Sequence, residues 1–314
     1  MKIPWMKSDR ATRASLLDLN PWARIDSDGD ADEGSASVRE TGVAHGVKMA
    51  QARRAAATAR LATGVEAWNR WANAMLACRG EVGRQPADLA LWRDLSTVDF
   101  SGHMFRKACD FAGLLFPDLA DFSRARFLVD AWFNAARFNA AVDFSAATFD
   151  RDGFFEQAEF FGPACFDRTR WSADAQFRSC KFHDESSFRE ARFGRHAWFI
   201  GSNFAGQLSF AGSQFVGEAG LDQCDYRGQT DFTLTRFCDH AGFGEAHFFA
   251  PVRFDNARFE RQAWFQRARF DAAASFDRAQ FAGALNFSGI ALPENSELRE
   301  QIATLQVHLA GGRR

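Results

Sequence analysis

The chain has 314 residues, and its 38 Lys and Arg nearly balance its 40 Asp and Glu, which gives a net charge of −2. This balance does not favour general binding to nucleic acid or to an anionic membrane. No run reaches the roughly 18 apolar residues of a membrane span, and the first 13 residues lack a secretory signal pattern, so we expect a cytoplasmic protein. The 35 Phe against one Tyr indicate a single structural position that is filled repeatedly.

Residues 1–47 are polar and irregular, and we predict a disordered or linker segment. Aspartates at positions 26, 28 and 30 have the spacing of a calcium-binding loop. Such a loop needs glycine at its sixth position and a bidentate glutamate at its twelfth, but the sequence has Ala31 and Ser37 there. We therefore expect no metal site in this segment.

Residues 48–94 are rich in alanine and favour helix, and we predict an N-terminal helical cap for the array that follows. The apolar residues that share one helical face are Val65, Trp68, Ala72, Met75 and Leu76. The alternative for this segment is a separate small helical domain.

A strict repeat begins at Phe100. Large apolar residues follow at alternating spacings of five and six residues until Phe287, which gives 35 positions, of which Phe fills 32. The exceptions are Trp171, Leu221 and Tyr226. An average spacing of 5.5 residues would place successive rings about 190° apart around a helix, so the pattern excludes an amphipathic helix.

Two residues before most of these positions lies a small residue, such as Ala136 or Ala257. The small-x-Phe pattern is strand alternation, with the small residue and the Phe on one side. One unit of eleven residues is too short to enclose two rings, whereas 22 residues give four sides with four inward rings. Residues 95–292 are therefore predicted to form an all-β parallel solenoid of about 8.5 coils, about 40 Å long at the usual strand spacing.

Stretches such as Phe122–Phe127 (FSRARF) and Phe254–Phe259 (FDNARF) resemble the Phe-rich members of the pentapeptide-repeat family. The resemblance implies a right-handed quadrilateral parallel β-helix. Residues 64–71 (GVEAWNRW) also resemble the segment that often precedes the first coil in this family. The extra residue in every second unit departs from the strict five-residue period and leaves the cross-section of the coil open.

The residue before each inward ring is predicted to face solvent, so outward residues 22 apart align in columns. One column reads Trp132, Phe154, Gln176, Trp198, Gly220, Gly242 and Trp264. Its four aromatic residues are candidate partner-binding residues, because exposed aromatic clusters mark interaction sites. The alternatives are that residues 1–94 cover this aromatic column, or that it has no role.

A neighbouring column is a candidate anion-facing surface, because arginine binds phosphate and carboxylate groups. Its arginines are Arg126, Arg170, Arg192, Arg236 and Arg258. The favoured alternative is a salt-bridge lattice with carboxylates four residues further along the chain. Those carboxylates are Asp130, Asp152, Asp174 and Glu218.

Residues 293–314 begin with Pro293, which ends the strands. An apolar face predicts a helix from about Glu294 to Leu309. We expect this C-terminal helix either to close the last coil or to pair with a second copy of the chain.

The sequence contains no Ser–His–Asp group, phosphate-binding loop or CxxC pair, and we assign no catalytic, cofactor or metal residue. We therefore predict a non-enzymatic scaffold or protein-binding module. The family resemblance implies one alternative, a regulator of DNA gyrase that imitates duplex DNA. That role requires a continuous acidic stripe along the rod. Residues 96–290 contain 25 Asp and Glu but also 21 Lys and Arg, and these interspersed basic residues argue against such a stripe. The identity of the partner, the biological process and the oligomeric state do not follow from the sequence.

Overall fold

The computed structural model describes residues 38–82, 86–293, 299 and 302, with side chains from residue 50 onward. In the described part of the chain, three helices precede the repeats: α1 (Val38–Leu61), α2 (Val65–Glu81) and α3 (Pro86–Ser96). Helix α1 begins inside the segment predicted as a linker. None of the helices within these described ranges combines the length and the apolar character that a membrane crossing requires.

Four parallel sheets run along the rod, and each coil contributes one two-residue strand to each sheet. Sheet A contains the strands Val98–Asp99, Ala120–Asp121, Val142–Asp143, Ala164–Cys165, Ser186–Ser187, Leu208–Ser209, Thr230–Asp231, Val252–Arg253 and Ala274–Ser275. Sheet B contains Met104–Phe105, Arg126–Phe127, Thr148–Phe149, Arg170–Trp171, Arg192–Phe193, Gln214–Phe215, Arg236–Phe237, Arg258–Phe259 and Gln280–Phe281.

The other two sheets complete the quadrilateral. Sheet C contains Cys109–Asp110, Ala131–Trp132, Gly153–Phe154, Ala175–Gln176, Ala197–Trp198, Ala219–Gly220, Ala241–Gly242, Ala263–Trp264 and Leu285–Asn286. Sheet D contains Leu115–Phe116, Arg137–Phe138, Glu159–Phe160, Lys181–Phe182, Asn203–Phe204, Asp225–Tyr226, His247–Phe248 and Arg269–Phe270. Every pairing joins residues 22 apart, as when Phe127 pairs with Phe105 and Phe149. The predicted parallel β-solenoid with four sides is confirmed.

The core is a stack of phenyl rings from successive coils. Phe133 lies parallel to Phe111 and Phe155, with ring centroids 4.5 and 4.6 Å apart. Rings from adjacent sides meet edge to face, as Phe122 and Phe133 do at 5.4 Å and 86°. Both arrangements suit the aromatic quadrupole. The stacking distance matches the spacing of hydrogen-bonded strands, so ring contacts and backbone hydrogen bonds form together.

The alternating spacing of five and six arises at the corners. Between sheets A and B, Phe122 and Ala125 close a turn with two residues between them, and the carbonyl of Phe122 accepts from the N–H of Ala125 at 3.0 Å. The next corner has three residues, between Phe127 and Ala131. The same alternation recurs between sheets C and D and between sheets D and A. The extra residue therefore lies in every second corner, which settles the cross-section that the sequence left open.

The two-residue corners require a positive φ at their second residue, as in a type II turn. Thirteen non-glycine residues adopt φ between 53° and 60° at these positions, and Arg124 is the first of them. This region is disfavoured for L-residues. The N–H of Arg124 nevertheless donates to the carbonyl of Ser145 in the next coil at 2.8 Å. The inter-coil hydrogen bonds thus hold the strained turns in place.

Helix α2 closes the first edge of sheet D with side chains instead of a strand. Asn69 accepts from the N–H of Leu115 at 2.9 Å and donates to the carbonyl of Gly113 at 2.9 Å. The indole N–H of Trp68 donates to the carbonyl of Leu115 at 2.7 Å, and its ring lies 5.5 Å from that of Phe116. An open strand edge is a template for aggregation, which this packing blocks. The N-terminal helical cap is confirmed.

The predicted C-terminal helix, 294–309, lies outside the described residues apart from two positions. Arg299 and Ile302 are helical, and Ile302 is buried at 8% exposure. Capping and dimerisation by this segment both stay predictions.

Buried polar groups inside the coil donate to the carbonyls of the neighbouring coil. The hydroxyl of Ser202 donates to the carbonyl of Phe177 at 2.6 Å, and the thiol of Cys224 donates to that of Phe199 at 3.0 Å. Burial raises the pKa of Cys224 to about 12. This cysteine is therefore a hydrogen-bonded core residue with an unreactive thiol.

Trp171 replaces Phe at one of the 35 inward positions of the repeat, and a glycine makes room for its larger ring. A Cβ atom at Gly153 would overlap the six-membered ring of Trp171, whereas Ala131 and Ala175 occupy the same position in the adjacent coils. The indole N–H of Trp171 donates to the hydroxyl of Thr169 at 3.1 Å. The larger ring and the missing methyl group compensate each other.

This pair predicts strong coupling between two substitutions. Gly153→Ala adds a methyl group against the indole and is expected to cost about 1–3 kcal/mol by overpacking. Trp171→Phe leaves a gap and is expected to cost about 1–3 kcal/mol. The double variant restores the arrangement of the neighbouring coils, so we expect thermal and urea unfolding to show at least about 1 kcal/mol of favourable coupling. Purely additive losses would contradict the compensation.

Candidate partner-binding surface

The aromatic column lies on the outer face of sheet C. Pairing places Trp132 beside Phe154, and Trp198 beside Gly220. Trp264 follows Gly242 in the same sheet. The alignment of the column is therefore as predicted. The three indoles are each intermediate in exposure.

The first part of the column is a stacked pair. The rings of Trp132 and Phe154 are nearly parallel, with centroids 6.1 Å apart and an interplanar angle of 4°. This spacing exceeds that of the inner rings, so the two rings are offset. They form one continuous apolar patch over two coils.

The later part of the column has single indoles with polar neighbours. Trp198 extends along the rod, so that a Cβ atom at Gly220 would lie 2.5 Å from its ring. The guanidinium of Arg178 lies 5.2 Å from the ring centroid of Trp198. Trp264 stacks against His240, with centroids 5.0 Å apart. Trp198 thus lies beside a guanidinium, and Trp264 lies beside an imidazole ring.

The described helices pack at the N-terminal end of the rod, where α1 contacts Val98–Asp99 and α2 contacts Leu115–Phe116. The aromatic column begins one coil later. Residues 1–37, part of the segment proposed to cover it, lie outside the described residues. The interpretation of the column as a free surface therefore stays a prediction.

The five arginines of the candidate anion-facing column are all exposed and align on sheet B. Two of the five form ion pairs, with carboxylates other than the ones predicted. Arg126 pairs with Asp150 at 3.6 Å, and Arg236 pairs with Glu260 at 2.6 Å. Each of these acids follows the inner ring of the next coil. Pairing across coils lowers the net charge of the column and weakens the case for an anion site.

The carboxylates that the sequence offered as partners have a different role. Asp152 accepts from the backbone N–H of Asp174 at 2.9 Å, and Asp130 accepts from that of Asp152 at 3.3 Å. These side chains complete the backbone hydrogen bonding of a three-residue corner. The lattice interpretation was therefore wrong in its partners, because the corner holds Asp130, Asp152 and Asp174 against the next coil.

A second row of aromatic residues lies on the corner that follows sheet D. Phe161 stacks on His183 at 4.6 Å, and Arg137 lies 5.2 Å from the ring of Phe161. Phe249, in the same row, is 37% exposed, and Arg227 lies 4.9 Å from its ring. The sequence shows that neither phenylalanine occupies one of the 35 inward positions of the repeat. Their shared row also follows from the 22-residue period, because four such periods separate Phe161 from Phe249.

The outer face of sheet A is a shallow polar groove of about 580 Å³. Small side chains, including Cys165, Ser187 and Ser209, form its floor. It contains no aromatic anchor. Within the described residues, no three His, Cys, Asp or Glu side chains group as a metal site would require.

An acidic row occupies the start of sheet A, where Asp99, Asp121 and Asp143 align in consecutive coils. Each carboxylate accepts from the backbone N–H two residues later, at 2.7–2.8 Å. Burial raises the pKa of Asp121, and the neighbouring carboxylates Asp143 and Asp99 raise it further. Arg54 of α1 lies 3.9 Å from Asp99.

A four-sided parallel solenoid with an inward ring at every side defines the structural class of the protein. A family model described as pentapeptide repeats (9 copies) matches residues 166–214 and 243–291. The match confirms the resemblance to the pentapeptide-repeat family over these two stretches. A search of the curated proteins gave no match. A search of the solved structures also gave none.

The acidic row predicts a pH-dependent effect of Asp121→Asn. Because the folded-state pKa of Asp121 is raised, its ionised form costs stability at neutral pH, and that cost disappears as the pH falls through this pKa. Asparagine keeps an acceptor for the Ser123 N–H. We expect the variant to be more stable by about 0.5 kcal/mol at pH 7, with the gain vanishing in acid, in urea unfolding series.

Asp255→Asn is a control of opposite sign. Burial alone would raise the pKa of Asp255, but hydrogen bonds from Ser275 and Arg253 hold it below its ordinary value. This variant should lose stability at neutral pH, and the loss should shrink in acid. The same sign for both variants would contradict the electrostatic analysis.

Proposed function

We propose that the chain is a non-enzymatic cytoplasmic scaffold that binds a protein partner along the aromatic column. The observation that carries the proposal is the placement of Trp132, Trp198 and Trp264 on one face of the rod. Successive indoles are three coils apart along the rod, which is about 14 Å at the usual strand spacing. Tryptophan is the residue most enriched at binding hot spots.

The solenoid suits this role because it holds its outer side chains on a rigid, extended surface. Each coil contacts only its neighbours, so the surface is built by repetition along one axis. Backbone hydrogen bonds to both adjacent coils fix the strands that carry the indoles; the N–H of Phe199 donates to the carbonyl of Gly220 at 2.7 Å. A partner that binds such a surface meets anchors that are already in position.

The non-enzymatic part of the proposal rests on the filled interior. Rings such as Phe177 and Phe199 stack 4.8 Å apart along the axis and occupy the space that a substrate would need. All six cysteines are free thiols, which agrees with a reducing compartment. We do not advance the DNA-mimicry alternative, because exposed arginines line sheet B and the acidic row on sheet A spans three coils.

Replacing Trp132, Trp198 and Trp264 together with serine tests the proposal. We expect affinity capture from lysate, read by mass spectrometry, to lose at least one protein that the unmodified chain retains. A matched control replaces Phe161, Leu234 and Phe249, three exposed or half-exposed apolar residues of other faces, with serine. The control should retain that protein.

Thermal melting of both variants separates binding from folding. Each serine replaces an outer side chain, so both proteins should melt as cooperative β-structures close to the unmodified chain. If a stable aromatic-column variant captures the same proteins as the unmodified chain, the column is not the binding surface.

A further inference from the structure

The aromatic column contains a gap of two glycines between Trp198 and Trp264. Gly220 and Gly242 carry no side chains there, and two neighbouring side chains occupy the space that a Cβ atom would take. The ring of Trp198 covers Gly220, and the carboxylate of Asp222 covers Gly242. We call the space around Asp222 between the two indoles the glycine gap.

The carboxylate of Asp222 gives the floor of the glycine gap a negative charge. Asp222 accepts one hydrogen bond, from the N–H of Gly244 at 2.7 Å. Burial raises the pKa of Asp222, and the nearby carboxylates Glu218 and Glu245 raise it further. Of these neighbours, Glu245 pairs with Arg267 at 3.1 Å. A carboxylate in such surroundings gains from a cation that approaches from outside.

Two acceptor atoms at the gap lack donors. Within the described part of the chain, Oδ2 of Asp222 accepts no hydrogen bond. Oε1 of Gln266 is buried and also has no partner there. The amide of Gln266 lies against Gly244, which is the residue that Asp222 contacts. Asp222 is half-buried, so its free oxygen can accept from a donor that approaches from outside the rod.

The aromatic walls of the gap are suited to a cation. Trp198 already has a guanidinium, that of Arg178, 5.2 Å from its ring centroid. Trp264 stacks on the imidazole of His240. An indole attracts a cation to its face, and this attraction grows as water is removed.

We propose that the glycine gap binds an arginine side chain of a protein partner. A guanidinium is planar, so it stacks on a flat indole, and its several N–H groups can reach two acceptors at once. A lysine ammonium is a compact, strongly hydrated charge that meets these requirements less well. The negative charge of the gap disfavours phosphate-bearing partners. This inference rests on the proposed function, because it names the side chain that the aromatic column recognises.

Fluorescence anisotropy with a fluorescein-labelled hexa-arginine peptide tests the site at physiological salt. Asp222→Asn keeps an acceptor for the Gly244 N–H and removes the charge, and we expect it to weaken binding at least about tenfold. Trp264→Ala removes one wall and should weaken binding to a similar extent. The matched control Glu190→Gln removes an exposed acid on a distant corner and should leave binding unchanged.

A hexalysine peptide of equal charge completes the design. Weaker binding of hexalysine supports arginine recognition, whereas equal binding of the two peptides overturns it. Equal losses in Asp222→Asn and Glu190→Gln would show general charge attraction and would also overturn the site. Circular dichroism of each variant confirms that the rod is intact.

The failure of this inference can be told apart from that of the proposed function. If hexa-arginine does not bind but the triple serine variant loses its captured protein, the glycine gap is refuted and the aromatic column stands. If hexa-arginine binds in a manner that depends on Asp222 while the triple serine variant captures everything, the gap stands as an arginine-binding site and the aromatic column falls as the surface that binds the captured proteins.

Discussion

The structure depends on one coincidence of lengths: stacked phenyl rings and hydrogen-bonded parallel strands repeat at nearly the same distance. The rings of Phe111 and Phe133 lie 4.5 Å apart, and neighbouring strands are about 4.8 Å apart. Every coil can therefore place a ring over the ring below without stretching a backbone hydrogen bond. Small residues such as Ala131 fit because the ring that follows fills the side of the coil. Burial of each ring stabilises its coil only through its neighbours, so both ends of the array require caps.

This repeat also fixes the outer surface. Each coil contains 22 residues and repeats the same four corners, so residues 22 apart share a column whatever their chemistry. The sequence is thus free to vary outside the rod while the rings stay constant. Aromatic residues on sheet C, arginines on sheet B and aspartates at the start of sheet A are separate uses of this freedom. The glycines at 220 and 242 show that a missing outer side chain is also informative, because it lets Trp198 and Asp222 lie on the sheet.

The spacing of Phe in the sequence was sufficient to predict the solenoid, its four sides and the membership of each column. The sequence did not specify which of several neighbouring groups a given side chain contacts. Arg126 was expected to pair with Asp130, four residues further along the chain, but its ion pair is with Asp150 of the next coil. The capping role of Asn69 depends on where α2 lies over sheet D, which no local pattern specifies. Helix α1 begins at Val38 rather than near residue 48, because a polar composition does not exclude a helix.

The most direct test is to delete repeat units of defined length. Removal of residues 178–188 takes out one eleven-residue unit and joins Phe177 to Arg189, which preserves the order of rings and corners. Removal of residues 178–199 takes out one full coil. If all rings point to a common axis with equivalent units, both deletions should give folded rods with β circular dichroism and cooperative melting. Removal of residues 178–185, which breaks the spacing, should not. If the eleven-residue deletion unfolds the protein as fully as the eight-residue one, the common axis is contradicted.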